Sequence, residues 1–259
     1  MKKSDAVLFL TGGVGDQVCA SGALNSFYKK HKKKFYIFTD KPSLFLEEDY
    51  CKDVIHIDFL NNSGHDDRSK IFKNFNRLYL LTWQTENHIK GNCTSVENYC
   101  EQLNVDKIKY PYLKIDREKL SKFNFNKPHI LVSFNRKEIS DDFILKKTKY
   151  FTAKKTTELI LNLKKDLPEY DIIDLADINT NNLKDLVYAV ANCKTFISTD
   201  TALQHIAANE ALQRKGVVLW NNEKHVEIYG YKHNINLINN FVYPYDDYEV
   251  ILQNLKRLL

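Results

Sequence analysis

A glycine-rich turn near the N-terminus, TGGVGDQV (residues 11–18), contains residue types that could do chemistry. It follows an apolar run, and Gly12, Gly13 and Gly15 allow the chain to turn tightly between a strand and a helix. Asp16 would lie at the start of that helix, where the helix dipole stabilises a negative charge. At the carboxyl edge of a parallel sheet, its carboxylate would face the crevice in which such sheets bind ligands. Asp16 is therefore a candidate general base for an incoming hydroxyl, or only a helix cap.

Two familiar phosphate-binding patterns fit this turn less well. The P-loop pattern requires a lysine after its last glycine, and the turn has none. The dinucleotide fingerprint is closer, because Gly13 and Gly15 match its first two glycines and Asp40 could bind a ribose at the end of the next strand. Its third small position is Val18, which opposes close packing of helix on strand. Dinucleotide binding by an NAD-dependent oxidoreductase remains an alternative.

A second polar motif lies in the run FISTDTALQHIAANE (residues 196–210). A strand ends there in small polar residues, Asp200 and Thr201 begin a helix, and His205 follows one turn later. Backbone N–H groups at the start of a helix can bind an anion. His205 could therefore contact a phosphate or a ribose, or it is a partly buried histidine of a capped helix.

Alternating strand-like and helix-like segments must position both motifs. This order is typical of a parallel sheet covered by helices on both faces, with the first helix expected at residues 19–31. The pattern loosens in a charged, asparagine-rich stretch at residues 116–128 and then starts again. We therefore expect two α/β domains, residues 1–125 and residues 126–245, and a C-terminal helix within residues 246–259 that could pack back on the first domain.

The composition indicates a soluble globular protein, because 43% of the 259 residues are hydrophobic and 27% are charged. The first apolar run is too short for a signal peptide, and no run reaches the ~20 residues of a membrane span, so we expect a cytoplasmic protein. Five cysteines without a C-x-x-C pair indicate reduced thiols. Eight histidines lack metal-ligand spacing, so we expect no structural metal. We expect no cofactor either.

Lysine runs at residues 29–34 and 146–155 account for much of the net charge of +5. Each run is either a solvated surface or a surface that meets phosphates, on a substrate or at the inner face of a membrane. No nucleic-acid-binding motif accompanies the charge, so we do not expect a nucleic-acid partner.

The two polar motifs, in this order, resemble those of glycosyltransferase family 9, the heptosyltransferase-like enzymes. The N-terminal signature of that family, G-x-x-G-D after a strand, is matched by residues 12–16. A middle K-x-W-P element is echoed weakly by residues 149–152. The C-terminal signature D-[ST]-G-x-x-H-x-A-A has Ala202 in place of its glycine and is otherwise matched by Asp200, Thr201, His205, Ala207 and Ala208.

The resemblance implies an α/β fold of the GT-B type, with two Rossmann-like domains facing each other across a cleft. It implies an inverting, metal-independent transfer of a sugar from a nucleotide-sugar donor to a hydroxyl of a glycan or glycolipid acceptor, as in lipopolysaccharide synthesis. Asp16 would be the general base. The donor diphosphate would be held by the helix start at Asp200, Thr201 and Ala202 with help from His205, and Lys149 would offset the charge of the leaving group. A nucleotide-binding module without transferase activity remains an alternative.

Overall fold

The computed structural model describes residues 6–58, 73, 77–120, 127–136, 150–178, 182–240 and 244–259. The chain divides into two compact units: unit 1 is Met1–Lys114 with Asn182–Lys184, and unit 2 is Ile115–Asn181 with Asp185–Leu259. The change of unit after Lys114 precedes the boundary expected at residue 125. Residues near 120 are held by unit 2, because the side-chain amide of Asn192 donates to the Leu120 carbonyl over 2.8 Å.

Unit 1 is built on a parallel four-stranded sheet in the order β3-β2-β1-β4. Its central strand, AVLFL, is buried along nearly its whole length, as expected for a parallel strand covered on both faces. Alternating strands and helices are therefore confirmed in this half of the chain. The strands are β1 (Ala6–Leu10), β2 (Phe35–Thr39), β3 (Cys51–His56) and β4 (Arg77–Leu81).

The helices of unit 1 are α1 (Val14–His31), α2 (Glu86–Ile89) and α3 (Ser95–Leu103), with a 3-10 turn at Pro42–Leu44. The first helix begins five residues before the expected Cys19, since Gly13 occupies its N-cap position with an extended backbone. The prediction treated Gly15 as part of a turn, whereas it lies inside the first turn of the helix. Helix α3 packs against α1.

Unit 2 is built on a parallel five-stranded sheet in the order β11-β10-β9-β5-β8. A short parallel pair, β6 with β7, accompanies it. The strands are β5 (His129–Ser133), β6 (Asn135–Arg136), β7 (Tyr150–Phe151), β8 (Asp171–Asp174), β9 (Thr195–Ser198), β10 (Gly216–Trp220) and β11 (Ile235–Ile238).

The helices of unit 2 are α4 (Arg117–Leu120), α5 (Ala153–Asp166), α6 (Leu183–Asn192), α7 (Ala202–Ala207), α8 (Glu223–Tyr229) and α9 (Tyr248–Lys256), with a 3-10 turn at Leu175–Asp177. The first two residues of α6 belong to unit 1. Thr152 is the N-cap of α5, as its position before the helical pattern predicts, and its hydroxyl accepts the Lys155 N–H. The C-terminal helix α9 buries Ile251, Leu252 and Leu255 in the core of unit 2.

Candidate functional site

Both polar motifs lie where the strand order of a sheet reverses. In unit 1 the chain moves outward from β1 to β2 and β3 and then returns to pair β4 with the other side of β1. In unit 2 the same reversal lies between β5 and β9. Open α/β sheets bind ligands outside the carboxyl ends of the strands at such a switch point. The glycine turn follows β1, and the second motif follows β9, so each motif occupies the ligand-binding edge of its own unit.

Asp16 is the third residue of α1 and is half-buried. Its Oδ2 accepts a hydrogen bond from the Gly13 N–H at 2.9 Å, so a capping role is present. Gly12 has a φ of +121°, a conformation that L side chains rarely adopt, and a Cβ there would lie 3.2 Å from Asp16 Oδ2. The glycines thus let the backbone fold closely around the carboxylate. A carboxylate has about four acceptor positions, so capping alone does not prevent it from accepting a proton from a hydroxyl.

His88 of α2 and Tyr99 of α3 lie within the electrostatic reach of Asp16, and both are buried. Burial lowers the pKa of His88, while a hydrogen bond with the Cys93 carbonyl and the charge of Asp16 act in the opposite direction. Burial and the charge of Asp16 both raise the pKa of Tyr99, which therefore stays a neutral phenol. Tyr99 carries no signal in the sequence beyond its place on a helix. Only the packing of α3 on α1 brings it to Asp16.

Asp40 is the residue that would bind a ribose in the dinucleotide alternative, and two neighbouring side chains contact its carboxylate. Its Oδ1 accepts a hydrogen bond from Gln17 Nε2 at 2.6 Å, and its Oδ2 pairs with Lys41 Nζ at 2.6 Å. Partial burial by itself would raise the pKa of Asp40, but the bonds from Lys41 and Gln17 hold it below the usual value. The side chain that would have to bind a ribose thus links the end of β2 to α1.

In unit 2, Thr201 is the N-cap of α7 and has an extended backbone, although its side chain makes no capping hydrogen bond. Its hydroxyl oxygen and that of Ser198 are both buried without a hydrogen-bond partner. Buried polar atoms without a partner are uncommon and require an explanation, such as a ligand or a bound water. Ala202 is the first residue of α7, so its N–H is among those that an α-helix leaves without an intrahelical partner.

A chain of polar side chains runs from half-buried Asp200 through buried His205 to buried Tyr231. Asp200 Oδ1 accepts a hydrogen bond from Gln204 Nε2 at 2.8 Å and lies 3.6 Å from His205 Nε2. His205 Nδ1 forms a hydrogen bond with the Tyr231 hydroxyl at 2.9 Å. The hydrogen bond with Tyr231 orients the His205 ring at Nδ1, and the Asp200 carboxylate lies beside Nε2. Gln204 lies inside the motif and could have been noticed there, but Tyr231 is distant in the sequence and has no local signal.

The middle motif is described only in part. Lys149 lies outside the described residues, so its expected contact with the leaving group stays a prediction. The residues after it form β7 and the N-cap of α5, and the Phe151 side chain is buried in the core of unit 2. The Phe151 ring packs at a tilt against Phe134, the residue directly after β5, with ring centroids 5.2 Å apart. An aromatic residue where the family motif has tryptophan thus serves the core of this unit.

The five cysteines are free thiols, and burial raises the pKa of Cys51, Cys93, Cys100 and Cys193. A buried thiol with a raised pKa is a poor nucleophile. Within the described ranges, no group of three or more His, Cys, Asp or Glu side chains is arranged to hold a metal ion. None of the helices that the structure describes combines the length and the apolar character needed to cross a membrane.

Solved structures of heptosyltransferases share this fold. Escherichia coli ADP-heptose lipopolysaccharide heptosyltransferase II is 14% identical over 98% of each chain, with a TM-score of 0.69. A family 9 glycosyltransferase from Veillonella parvula DSM 2008 is 13% identical over 100% of this chain and 98% of its own, with a TM-score of 0.63. E. coli heptosyltransferase WaaC with ADP is 13% identical over 98% of this chain and 100% of its own, with a TM-score of 0.60. The predicted α/β class with parallel sheets is confirmed.

Part of the chain also matches a glycosyltransferase family. Residues 150–253 match the model of glycosyltransferase family 9 (heptosyltransferase), and this segment contains Asp200, Thr201, Ala202 and His205. The resemblance read from the motifs is therefore confirmed for this part of the chain, which forms most of unit 2. No curated protein sequence matches the chain.

Proposed function

We propose that the chain is an inverting, metal-independent glycosyltransferase that moves a sugar from a nucleotide-sugar donor to a hydroxyl of a glycan or glycolipid acceptor. The observation that carries the proposal is the position of the two motifs, each at the switch point of a parallel sheet. The family match of unit 2 supports a sugar donor. Structures with this fold include an ADP-heptose lipopolysaccharide heptosyltransferase and a heptosyltransferase with ADP, which favours an ADP-sugar donor and a place in lipopolysaccharide synthesis.

In the proposed reaction Asp16 accepts the proton of the acceptor hydroxyl while that oxygen attacks the anomeric carbon of the donor. The bond between the anomeric carbon and the diphosphate oxygen breaks on the opposite face, so the configuration inverts and a nucleoside diphosphate leaves. General-base catalysis by a positioned carboxylate contributes about 10²–10⁴-fold to such a rate. The glycines around Asp16 support this role, because they leave the turn without side chains that would cover the carboxylate.

The donor diphosphate would bind at the start of α7. Backbone N–H groups from Ala202 onward point along the helix axis, and the buried Thr201 hydroxyl has unused hydrogen-bonding capacity. His205 would contact the diphosphate or the ribose from its fixed position beside Asp200. Negative charge grows on the diphosphate as it leaves, and preorganised dipoles and cations stabilise that charge. We assign the cation to Lys149, following the family motif.

The decisive experiment compares Asp16→Asn with Asp106→Asn, a control at a highly exposed carboxylate of the same unit. The substrates are ADP-heptose and a truncated lipopolysaccharide core. We expect Asp16→Asn to lower kcat by about 10²–10⁴-fold, while thermal protection by ADP in EDTA stays as in the parent protein. The amide oxygen of asparagine can still accept the Gly13 N–H, so the helix start should survive. Near-full turnover by Asp16→Asn would overturn the assignment of the base.

The same assays separate the alternatives. A nucleotide-binding module would be protected by ADP but would never consume the donor. An NAD-dependent oxidoreductase would bind a nicotinamide cofactor and lose it on Asp40→Ala. The contacts of Asp40 with Gln17 and Lys41 count against that second alternative, because they already use the carboxylate.

A further inference from the structure

Trp83 is an exposed tryptophan at the ligand-binding edge of unit 1. The chain has two tryptophans; Trp220 is 2% exposed in its strand, whereas Trp83 is 43% exposed. An indole has a large apolar surface, and leaving it in water forgoes the free energy of its burial. A large exposed aromatic side chain beside a candidate site therefore deserves a functional explanation.

The register of the sheet places Trp83 next to the glycine turn. Leu81, the last residue of β4, pairs with Leu10, the last residue of β1. Trp83 and Gly12 each follow two residues later, and neighbouring strands lie about 4.7–4.9 Å apart. The backbone of Trp83 thus leaves the sheet beside the turn that carries Asp16, on the strand across the switch point.

The backbone beneath the indole is held by two side chains of α3. Asn98 is fully buried, and its Nδ2 donates to the carbonyls of Thr82 at 3.1 Å and Trp83 at 3.2 Å. The Oδ1 of Asn98 accepts the Thr85 hydroxyl at 2.6 Å. Gln102 accepts the Thr82 N–H at 2.9 Å and donates to its carbonyl at 2.8 Å. The exposed ring therefore stands on an anchored backbone, which reduces the conformational entropy that a ligand must remove on binding.

We propose that Trp83 is the acceptor-binding platform of unit 1, on which a sugar ring of the acceptor stacks. The proposal rests on the proposed glycosyl transfer and adds a subsite to it. One face of a pyranose ring is a layer of C–H groups, and these pack on the electron-rich face of an indole while the hydroxyls stay in water. The acceptor must present its hydroxyl to Asp16, and Trp83 is an exposed aromatic residue that follows the strand beside that turn.

The test uses the acceptor on which the parent enzyme turns over. Trp83→Ala should raise the acceptor KM on the order of tenfold, with the donor KM and the thermal midpoint nearly unchanged. Trp83→Phe should recover part of the loss, because it keeps an aromatic face. Leu80→Ala is the matched control, since Leu80 is an exposed apolar residue of β4, and it should leave both KM values unchanged. An unchanged acceptor KM in Trp83→Ala would overturn the proposal.

A fluorescence measurement gives a second readout that does not depend on turnover. In a Trp220→Phe protein, Trp83 is the only tryptophan of the chain. Its emission should shift and become protected from acrylamide quenching when the acceptor oligosaccharide is added. Protection by the donor alone, which would indicate a nucleobase platform, would overturn the proposal. So would concentration-dependent protection without ligand, which would indicate an interface between copies of the chain.

The failure of this inference is distinguishable from failure of the proposed function. If Asp16→Asn is inactive and Trp83→Ala behaves as the parent, only the acceptor platform is wrong. If Asp16→Asn turns over normally while Trp83→Ala raises the acceptor KM, the assignment of the base is wrong and the platform stands.

Discussion

Replacing Tyr231 with phenylalanine should weaken donor binding by releasing one side of the His205 ring. The substitution removes the hydroxyl that bonds His205 Nδ1 at 2.9 Å and keeps the aromatic ring, which packs edge-on against the imidazole with centroids 5.7 Å apart. On the other side of the ring, Asp200 Oδ1 lies 3.6 Å from His205 Nε2. The change thus tests Tyr231 as a positioning residue, acting on the donor through His205.

The magnitude follows from the burial of both partners. His205 and Tyr231 are each less than a tenth exposed, so water replaces the lost hydroxyl poorly. A neutral hydrogen bond contributes about 0.5–1.5 kcal/mol, and an unsatisfied buried acceptor or donor costs about 1–3 kcal/mol. If the free energy of the lost hydrogen bond, about 0.5–1.5 kcal/mol, is lost from donor binding, the donor KM should rise by about 2- to 13-fold. The acceptor KM should not change.

The assay measures the donor KM and the ADP affinity in Tyr231→Phe, with Tyr229→Phe as control. Tyr229 packs edge-on on His225 with centroids 6.0 Å apart, so the control removes a phenol hydroxyl from a similar tyrosine–histidine pair. The double variant Tyr231→Phe/His205→Ala should be no worse than His205→Ala, because both changes act through one ring. Equal effects of Tyr231→Phe and Tyr229→Phe, or full additivity in the double variant, would refute the reasoning.

Three further predictions concern stability and surface charge. Glu48→Gln removes the charge that pairs with buried Lys184, which should lower the free energy of unfolding in urea by about 3–5 kcal/mol. The double variant Glu48→Gln/Lys184→Met should recover most of this loss. No recovery would contradict the argument that the loss comes from an unpaired Lys184 charge. Gly22→Ala places a Cβ 2.5 Å from the Tyr110 carbonyl oxygen, so it should lower the free energy of unfolding, measured by thermal denaturation, by about 1–3 kcal/mol. A negligible decrease would mean that the backbone at Tyr110 moves away without cost. Neutralising Lys32–Lys34 should weaken binding to anionic vesicles about fivefold per lysine at low salt and leave neutral vesicles unaffected, and salt-independent binding would count against it.

Local patterns were sufficient for the fold class. Apolar runs such as AVLFL and the glycine turn behind it are short-range signals, and they predicted parallel strands joined by helices. The start of α1 was misplaced because glycines suggest a turn, while the helix actually begins at Val14 with Gly13 as its N-cap. This helix start is capped by a hydrogen bond from the Gly13 N–H to the Asp16 carboxylate. The residue types allow this hydrogen bond but do not require it.

The candidate site was predictable only in its motif residues. Asp16 and His205 stand out because their types and spacing match a known signature. Tyr99, Tyr231 and Trp83 do not stand out, since aromatic residues at such positions are usually core or scattered surface residues. Their relation to the motifs arises from contacts between residues that are far apart along the chain.

The sequence by itself determined that a carboxylate follows one strand and a capped helix start with a histidine follows another, because turns and helix starts depend on neighbouring residues. The tertiary structure alone decided which strands are neighbours: β4 beside β1, and β5 beside β9. Strand order is a matter of non-local pairing, and helix packing is likewise non-local, so no short stretch of sequence encodes either. That order sets Trp83 beside the glycine turn, and the folding of unit 2 brings Tyr231 to His205.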